Sequence, residues 1–315
     1  MTTQTEDAQP EHKDTAEYND QAEYTVRSEH QDKLARLARV AADSGLGGIL
    51  LAAHHNIAWL TSGRHNRVDG SREVGTARLF VTADRRRFVL ANAIEMPRML
   101  DEVLAGLDYE PIEYPWTEDQ DPAHAVKTAK GLVGVGTPAD SRNGAVALGA
   151  DWPLPGVVPV EPSIARARAL LTDGEVARYR LLGAEAGRVL GSICRALTPG
   201  DDERDISRAV IDGAASIRAR AVVSLVGSDH RLRRYRHPVP TATAWKQVVM
   251  VALCAERDGL IVSLSRIVST GCPLDLEPKT RAAAEVFGRL LEATRPGARA
   301  ADLYATAARA YEAAG

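Results

Sequence analysis

Short apolar runs of strand length alternate with helical apolar spacing between residues 28 and 160, and this alternation constrains the fold most strongly. Apolar residues at helical spacing after Ser28 predict a first helix that ends at Gly45, and the apolar run 48–52 follows as a buried strand. Further strands are predicted at 77–82, 87–91, 109–114 and 133–136, with helical segments at 96–105 and 124–129. Helices that alternate with short apolar strands predict an α/β domain.

The second half of the chain follows a different order of two helices, three extended segments and two more helices. A capping box from Thr172 to Glu175 predicts the start of a long helix, which ends at the turn 198–200. The other elements are predicted as helix 206–219, extended segments 221–226, 248–256 and 260–269, and helices 276–293 and 301–313. This order predicts an α+β domain.

The ends of the two domains are predicted from composition. Residues 1–30 contain eight acidic residues against two basic ones, and no Ile, Leu, Phe or Trp precedes Leu34. Such a segment buries too little apolar surface to offset its ordering entropy, so we expect a disordered acidic tail over residues 1–27. The tail is interpreted as solubilising, with a partner-binding arm as the alternative.

The Pro-rich stretch 152–162 predicts a linker, which gives domains at 28–160 and 161–315.

Composition excludes several classes of protein. The 315 residues are 45% hydrophobic and 26% charged with a net charge of −3, which is typical of a soluble globular protein. The sequence has no run of about 18 apolar residues and no signal-peptide pattern, so we expect no membrane partner and a cytoplasmic location. Arg residues are scattered and balanced by acidic residues, so nucleic acid is not expected as a partner. Cys194, Cys254 and Cys272 lack C-x-x-C spacing, which argues against disulfides and zinc knuckles.

Two short patterns have both a functional and a structural interpretation. The segment 134–139 matches a loose dinucleotide fingerprint, but it closes a domain and a turn is predicted after it instead of a helix. His54 and His55 could form a ligand pair, but adjacent residues on an extended chain point to opposite faces. We interpret both patterns as structural. The absence of G-x-S-x-G, P-loop and H-E-x-x-H motifs excludes the common serine hydrolases, P-loop NTPases and zincins.

The segment 227–238 combines basic side chains with histidines. If it is extended, a period of two places one set of side chains on the same face: Asp229, Arg231, Arg233, Tyr235 and His237. Such a face could clamp an anion beside a group that titrates near neutrality. A solvated charged strand is the alternative.

The order of several motifs resembles the creatinase, prolidase and aminopeptidase P group. Segments 45–51 and 56–63 are similar to the N-terminal domain of that group, and the turn 197–203 with its flanking helix and strands is similar to the opening of the pita-bread domain, the M24 peptidase fold. The resemblance runs from about residue 30 to residue 315. It implies an α/β creatinase-like N-terminal domain, an α+β pita-bread domain that is incomplete at the C-terminus, and a homodimer.

The metallopeptidases of this family bind two divalent metals through aspartates on adjacent strands. By resemblance, segments 249–253 and 259–266 place Ala252 and Ser263 at these two ligand positions. Alanine has no donor atom, and a neutral serine hydroxyl is a poor ligand for Mn²⁺ or Zn²⁺. We therefore expect no dinuclear metal site and no other cofactor.

His237 matches the family's first active-site histidine, which contacts substrate and handles protons. Creatinase, which hydrolyses a guanidino compound with a histidine acid/base, is the precedent for metal-free catalysis on this fold. The resemblance implies that His237 is a general acid/base. It also implies that Arg231, Arg233 and Tyr235 bind the substrate, the two arginines through its carboxylate. A structural histidine is the alternative.

Three functions stay open at this point. The first is a metal-independent hydrolase or lyase that acts on a small amide, guanidino or dipeptide-like substrate. The second is a catalytically inactive binding module, which is supported by Ala252 and Ser263 and by the family's second His and two Glu, which lie beyond the position of Gly315. The chain is then either a fragment or a natural truncation. The third is a conventional Xaa-Pro aminopeptidase, which Ala252 argues against.

Overall fold

The computed structural model describes residues 13–118, 122–133, 147–271 and 276–314. The described residues divide into two compact units. One comprises those of Met1–Glu185 with Arg218–Arg220 and Ala255–Val262, and the other comprises those of Ala186–Ile217, Ala221–Cys254 and Ser263–Gly315. The dinucleotide-like segment 134–139 and most of the strand predicted at 133–136 lie outside the described residues.

The first unit is built on a six-stranded mixed sheet of order β4-β3-β2-β1-β5-β6. Its elements are α1 (Lys13–Asp43), β1 (Gly48–Ala53), α2 (His54–Leu60), β2 (Val74–Thr82), β3 (Arg87–Asn92), α3 (Met96–Arg98), a π-helical turn (Met99–Val103), β4 (Glu110–Tyr114), a 3₁₀ turn (Trp116–Glu118), α4 (Pro122–Leu132), β5 (Gly149–Ala150), β6 (Val158–Pro159), α5 (Glu161–Arg168) and the start of α6 (Asp173–Ala196). β1 pairs antiparallel with β2 and parallel with β5. The predicted α/β alternation is therefore confirmed.

Strand β1 is buried along its whole length because apolar side chains cover both faces of the sheet. On one face Ile49 and Leu51 pack in a core with Leu34 and Leu37 of α1. On the other face Leu50 packs in a second core, which includes Phe80 of β2, Leu90 of β3 and Ala129 of α4. The continuous apolar run that predicted this strand reflects burial on both sides.

Helix α1 begins at Lys13, whereas the sequence analysis placed its start at Ser28 and expected disorder through residue 27. Residues 13–27 contain no Gly or Pro and several good helix formers, so a helix anchored by buried Leu34 and Leu37 extends toward the N-terminus. Residues 1–12 of the predicted acidic tail lie outside the described residues, and the disorder of the tail stays a prediction.

The Pro-rich stretch predicted as a linker belongs to the first unit. β6 is an edge strand of the sheet, a position that tolerates Pro159, and α5 buries Ile164 completely in the core. The first unit extends to Glu185 instead of ending near residue 160. The predicted capping box is confirmed, since Glu175 Oε2 accepts from the Thr172 backbone N–H at 2.9 Å and Thr172 Oγ1 accepts from the Glu175 N–H at 3.2 Å.

The later elements are α7 (Glu203–Ser216), β7 (Arg220–Ser228), α8 (Asp229–Arg234), β8 (Val248–Arg257), β9 (Leu260–Ser269), α9 (Leu276–Ala293) and α10 (Ala300–Ala314). β7, β8 and β9 form a three-stranded sheet in that order. The predicted α+β order is confirmed, with α8 as an additional short helix. No helix within the described ranges is long and apolar enough to cross a membrane.

Candidate functional site

The segment after β7 is helical at the point where the sequence analysis considered an extended strand. α8 spans Asp229–Arg234, so a period of two does not place Asp229, Arg231 and Arg233 on one face with His237. The chain turns at Asp229, which adopts a left-handed φ of 48° directly after the strand. The hypothesis of a single extended face is therefore wrong.

Interactions distant in sequence hold the start of this helix. The Asp229 carboxylate accepts hydrogen bonds from the backbone N–H groups of Lys246 at 2.9 Å, Gln247 at 2.9 Å and Val248 at 3.1 Å. Burial alone raises the pKa of Asp229, but the three N–H donors outweigh this effect and hold the pKa below its usual range. The Asp229 carboxylate thus joins the start of α8 to the start of β8.

A buried carboxylate, Glu203 in the first turn of α7, organises the surroundings of α8. Its side chain is fully buried and accepts from the Ser228 N–H at 2.9 Å and Oγ at 2.7 Å, and from the Thr241 N–H at 3.0 Å and Oγ1 at 2.9 Å. Arg231 completes the set with an ion pair to Glu203 Oε2. Burial raises the pKa of Glu203, but the donors from Ser228, Thr241 and Arg231 more than compensate, so the pKa is lowered.

Arg231 is held inside the protein by two partners. Its side chain is 12% exposed, and besides the ion pair with Glu203 it donates to the Val239 carbonyl at 2.8 Å. A guanidinium with these bonds joins α7 to the segment after α8. Arg231 can therefore hold the segment after α8 in place against α7.

The segment that carries His237, residues 235–241, is here named the anchored loop. Pro238 is buried against Gly227, where an added Cβ would lie 2.4 Å from the proline Cγ, so this close approach requires glycine. Together with the bonds to Val239 and Thr241, this contact fixes the backbone directly after His237. The His237 side chain itself is exposed.

Tyr235 and Arg233 occupy different surroundings. The Tyr235 ring is 47% exposed, and the guanidinium carbons of Arg231 and Arg234 lie 5.7 and 5.8 Å from its centroid. Arg233 lines a cavity of about 640 Å³ with residues of β8, β9 and α9. Because residues two apart on a helix point to different sides, Arg231 and Arg233 do not form one clamp.

The two positions that correspond to the family's metal ligands lie on β8 and β9. Ala252 is half-buried, and Ser263 is exposed with its hydroxyl donating to Cys254 Sγ at 3.1 Å. Across the described ranges, no group of three or more His, Cys, Asp or Glu side chains is arranged to hold a metal ion. A methyl group and a neutral hydroxyl do not supply the carboxylates that a dinuclear site needs, so these residues do not fit a metal pair.

Sequence reasoning missed Glu203 and its partners Ser228 and Thr241. Glu203 follows Asp202, the N-cap of α7, so it resembles any acidic residue in a first helical turn. Its partners lie 25 and 38 residues away along the chain. The signal that could have drawn attention to Glu203 is its place in the family-like turn 197–203.

No protein-family model matches the chain, and no curated protein matches it. Solved structures do match. The dipeptidase PepE from Mycobacterium ulcerans is 18% identical with a TM-score of 0.72, covering 92% of this chain and 78% of that one. A prolidase from Pyrococcus horikoshii is 14% identical with a TM-score of 0.69, and the match covers 90% of this chain and 78% of the prolidase. An Asp-to-Ala variant of Escherichia coli aminopeptidase P is 12% identical with a TM-score of 0.66, and the match covers 90% of this chain and 73% of the aminopeptidase.

At these identities the likeness shows the fold. The chain has the two-part architecture that these peptidases share, an α/β N-terminal domain followed by the pita-bread fold of M24 peptidases. The resemblance drawn from the order of the motifs is thus confirmed at the level of fold. The fold resembles that of Xaa-Pro dipeptidases and prolidases.

Proposed function

We propose that the protein is a metal-independent hydrolase or lyase that acts on a small amide, guanidino or dipeptide-like substrate, with His237 as general acid/base. The observation that carries this proposal is the exposed His237 side chain on the anchored loop. The loop is held in place because the Thr241 N–H donates to the buried Glu203 carboxylate and Arg231 donates to the Val239 carbonyl. The fold likeness to dipeptidases supports hydrolysis of a small substrate.

A general acid/base needs both access to substrate and a defined position. Exposure gives the His237 imidazole access. Position comes from the backbone, because Pro238 packs on Gly227 and Arg231 binds the Val239 carbonyl. In this proposal Arg231 positions the loop, and Arg233 is the group that binds the substrate carboxylate.

The absence of carboxylates at two positions supports a reaction without a metal pair. The Ala252 side chain has no lone pair to donate to a metal, and the Ser263 hydroxyl donates a hydrogen bond to Cys254 Sγ. Neither residue supplies a negative charge for a divalent ion. Proton transfer in the proposed reaction is therefore assigned to the His237 imidazole.

The test is turnover of a panel of dipeptides, N-acyl amino acids and guanidino acids in excess EDTA. Histidine general catalysis contributes about 10²-fold to 10⁴-fold, so His237→Gln should reduce turnover by at least about 10²-fold. His230→Gln is the matched control, because His230 is an exposed histidine on α8 and should leave turnover unchanged. Equal turnover by His237→Gln and the unsubstituted protein would overturn the assignment.

A binding module without catalysis is the second candidate. It is favoured by the absence, within the described ranges, of any hydrogen-bonding or ionic partner that would orient the His237 ring. It predicts saturable binding of a panel compound by calorimetry with no turnover. A conventional Xaa-Pro peptidase would instead lose activity in EDTA and regain it with Mn²⁺.

A further inference from the structure

A largely apolar cavity in the second unit lies between α8, the start of β8, the end of β9 and the start of α9. We propose that this cavity binds a small amphipathic acid, a molecule with an apolar chain or ring and one carboxylate. The proposal shares Arg233 with the reaction proposed at His237, but binding in the cavity does not require the His237 imidazole and does not rest on catalysis.

The lining determines the apolar part of the ligand. Five of the described lining residues are apolar: Leu232, Val248, Ile267, Leu276 and Ala283. The cavity volume of about 640 Å³ falls within the range of about 300–1,000 Å³ typical of small-molecule sites. Ile267 is 51% exposed, so a ligand that covers it removes apolar surface from water.

The charges of the lining determine the polar part of the ligand. Arg233 and Lys279 contribute two cations, and Asp229 is the one carboxylate among the described lining residues. The Asp229 charge already accepts three backbone N–H groups, which reduces its repulsion of a second anion. Arg and Lys side chains bind carboxylates through charge-assisted hydrogen bonds, so an acid is favoured over an amine.

The arrangement of the lining favours one small molecule over a peptide segment. Four elements contribute side chains to one concavity, and the described lining residues of α9 span only Leu276–Ala283, about two helical turns. The Thr280 hydroxyl donates to the Leu276 carbonyl at 2.8 Å, so it is engaged within the helix. Orientation of the ligand is therefore assigned to the cationic groups.

Calorimetric titration of the full chain with three probes tests both parts of the proposal. The probes are 4-phenylbutyrate, its uncharged analogue 4-phenylbutanol, and butyrate, which lacks the ring. We expect saturable binding of 4-phenylbutyrate that is at least about tenfold tighter than binding of either analogue, the size of one charge-assisted hydrogen bond. No saturable binding of 4-phenylbutyrate, or equal binding of the alcohol, would overturn the proposal.

Two pairs of variants locate the site. Ala283→Trp should fill the cavity and abolish binding, whereas Ala284→Trp places the same ring on the neighbouring exposed position of α9, outside the described lining, and should preserve it. Arg233→Gln should weaken the binding of 4-phenylbutyrate and leave the binding of 4-phenylbutanol unchanged. Arg234→Gln on the same helix is the control and should change neither affinity. Equal affinity of the two Trp variants, each checked for folding by circular dichroism, contradicts this location. The His237 test measures turnover by His237→Gln, whereas this test measures binding by variants of the cavity lining, so loss of one result does not entail loss of the other.

Discussion

Lys33 Nζ lies 2.8 Å from Glu175 Oε1, and both side chains are almost completely buried. The second oxygen of the same carboxylate accepts from the Thr172 N–H, so Glu175 both caps α6 and neutralises a lysine of α1. Lys33 also lies 2.5 Å from Glu29 and donates to the Trp59 carbonyl at 2.7 Å. All three of its ammonium protons therefore have acceptors inside the first unit.

Lys33→Met should destabilise the protein by about 3–5 kcal/mol, because it leaves the carboxylates of Glu29 and Glu175 buried beside a neutral side chain. The measurement is the free energy of unfolding in guanidinium chloride. Arg281→Met is the matched control, because this exposed cation on α9 pairs with Glu277 only at the surface. The control should change the free energy by less than about 1 kcal/mol, and an equal loss in both variants would contradict the role of Lys33.

The pH dependence of stability should report on His30. The pKa of His30 is lowered from 6.5 to about 4, mainly by burial and also by nearby Arg87 and Lys33, although the hydrogen bond between Nδ1 and the Leu60 carbonyl opposes this shift. Because the folded pKa lies below the unfolded value, the unfolded chain binds a proton first as the pH falls. The His30 contribution is thus fully present above pH 6.5 and is lost as the pH drops toward about 4, by about 3 kcal/mol.

The measurement is the free energy of unfolding by urea at several pH values between 4 and 7. His30→Gln removes the titrating group, so its stability should fall less steeply over this interval than that of the unsubstituted protein. His237→Gln removes an exposed histidine instead and should keep the full slope. Identical slopes for all three proteins would show that His30 does not titrate in this way.

The sequence predicted an element correctly where interactions between residues close in the chain determine its structure. The start of α6 was predicted because Thr172 and Glu175 are three residues apart and cap each other, and β1 was predicted because its apolar run is buried on both faces. The helical form of α8 was not predicted, because Asp229 is held by N–H groups 17 to 19 residues away. The engagement of Arg231 also depends on a distant partner, Glu203. Which polar residues are free to act is therefore a property of tertiary structure.

Gly227→Ala tests whether the packing of Pro238 positions His237. An alanine Cβ would lie 2.4 Å from the Pro238 ring, so the anchored loop must move. We expect a loss of about 1–3 kcal/mol in stability, as is typical of overpacking, and lower turnover on any substrate identified for His237. Gly187→Ala in α6 is the control, since its added Cβ meets nothing within 4 Å. That variant should gain up to about 1 kcal/mol from helix propensity and keep full turnover.

A double-mutant cycle on Glu203 and Arg231 distinguishes a positioning role from substrate binding. Either single change, Glu203→Gln or Arg231→Gln, breaks a buried ion pair and should cost about 3–5 kcal/mol of unfolding free energy. If the two residues act as a unit, the double variant should lose much less than the sum, with a coupling energy above about 1 kcal/mol. Additive losses with a KM raised only by Arg231→Gln would instead identify Arg231 as a substrate-binding group. Arg204→Gln on exposed α7 surface controls for the loss of a cation and should change neither quantity.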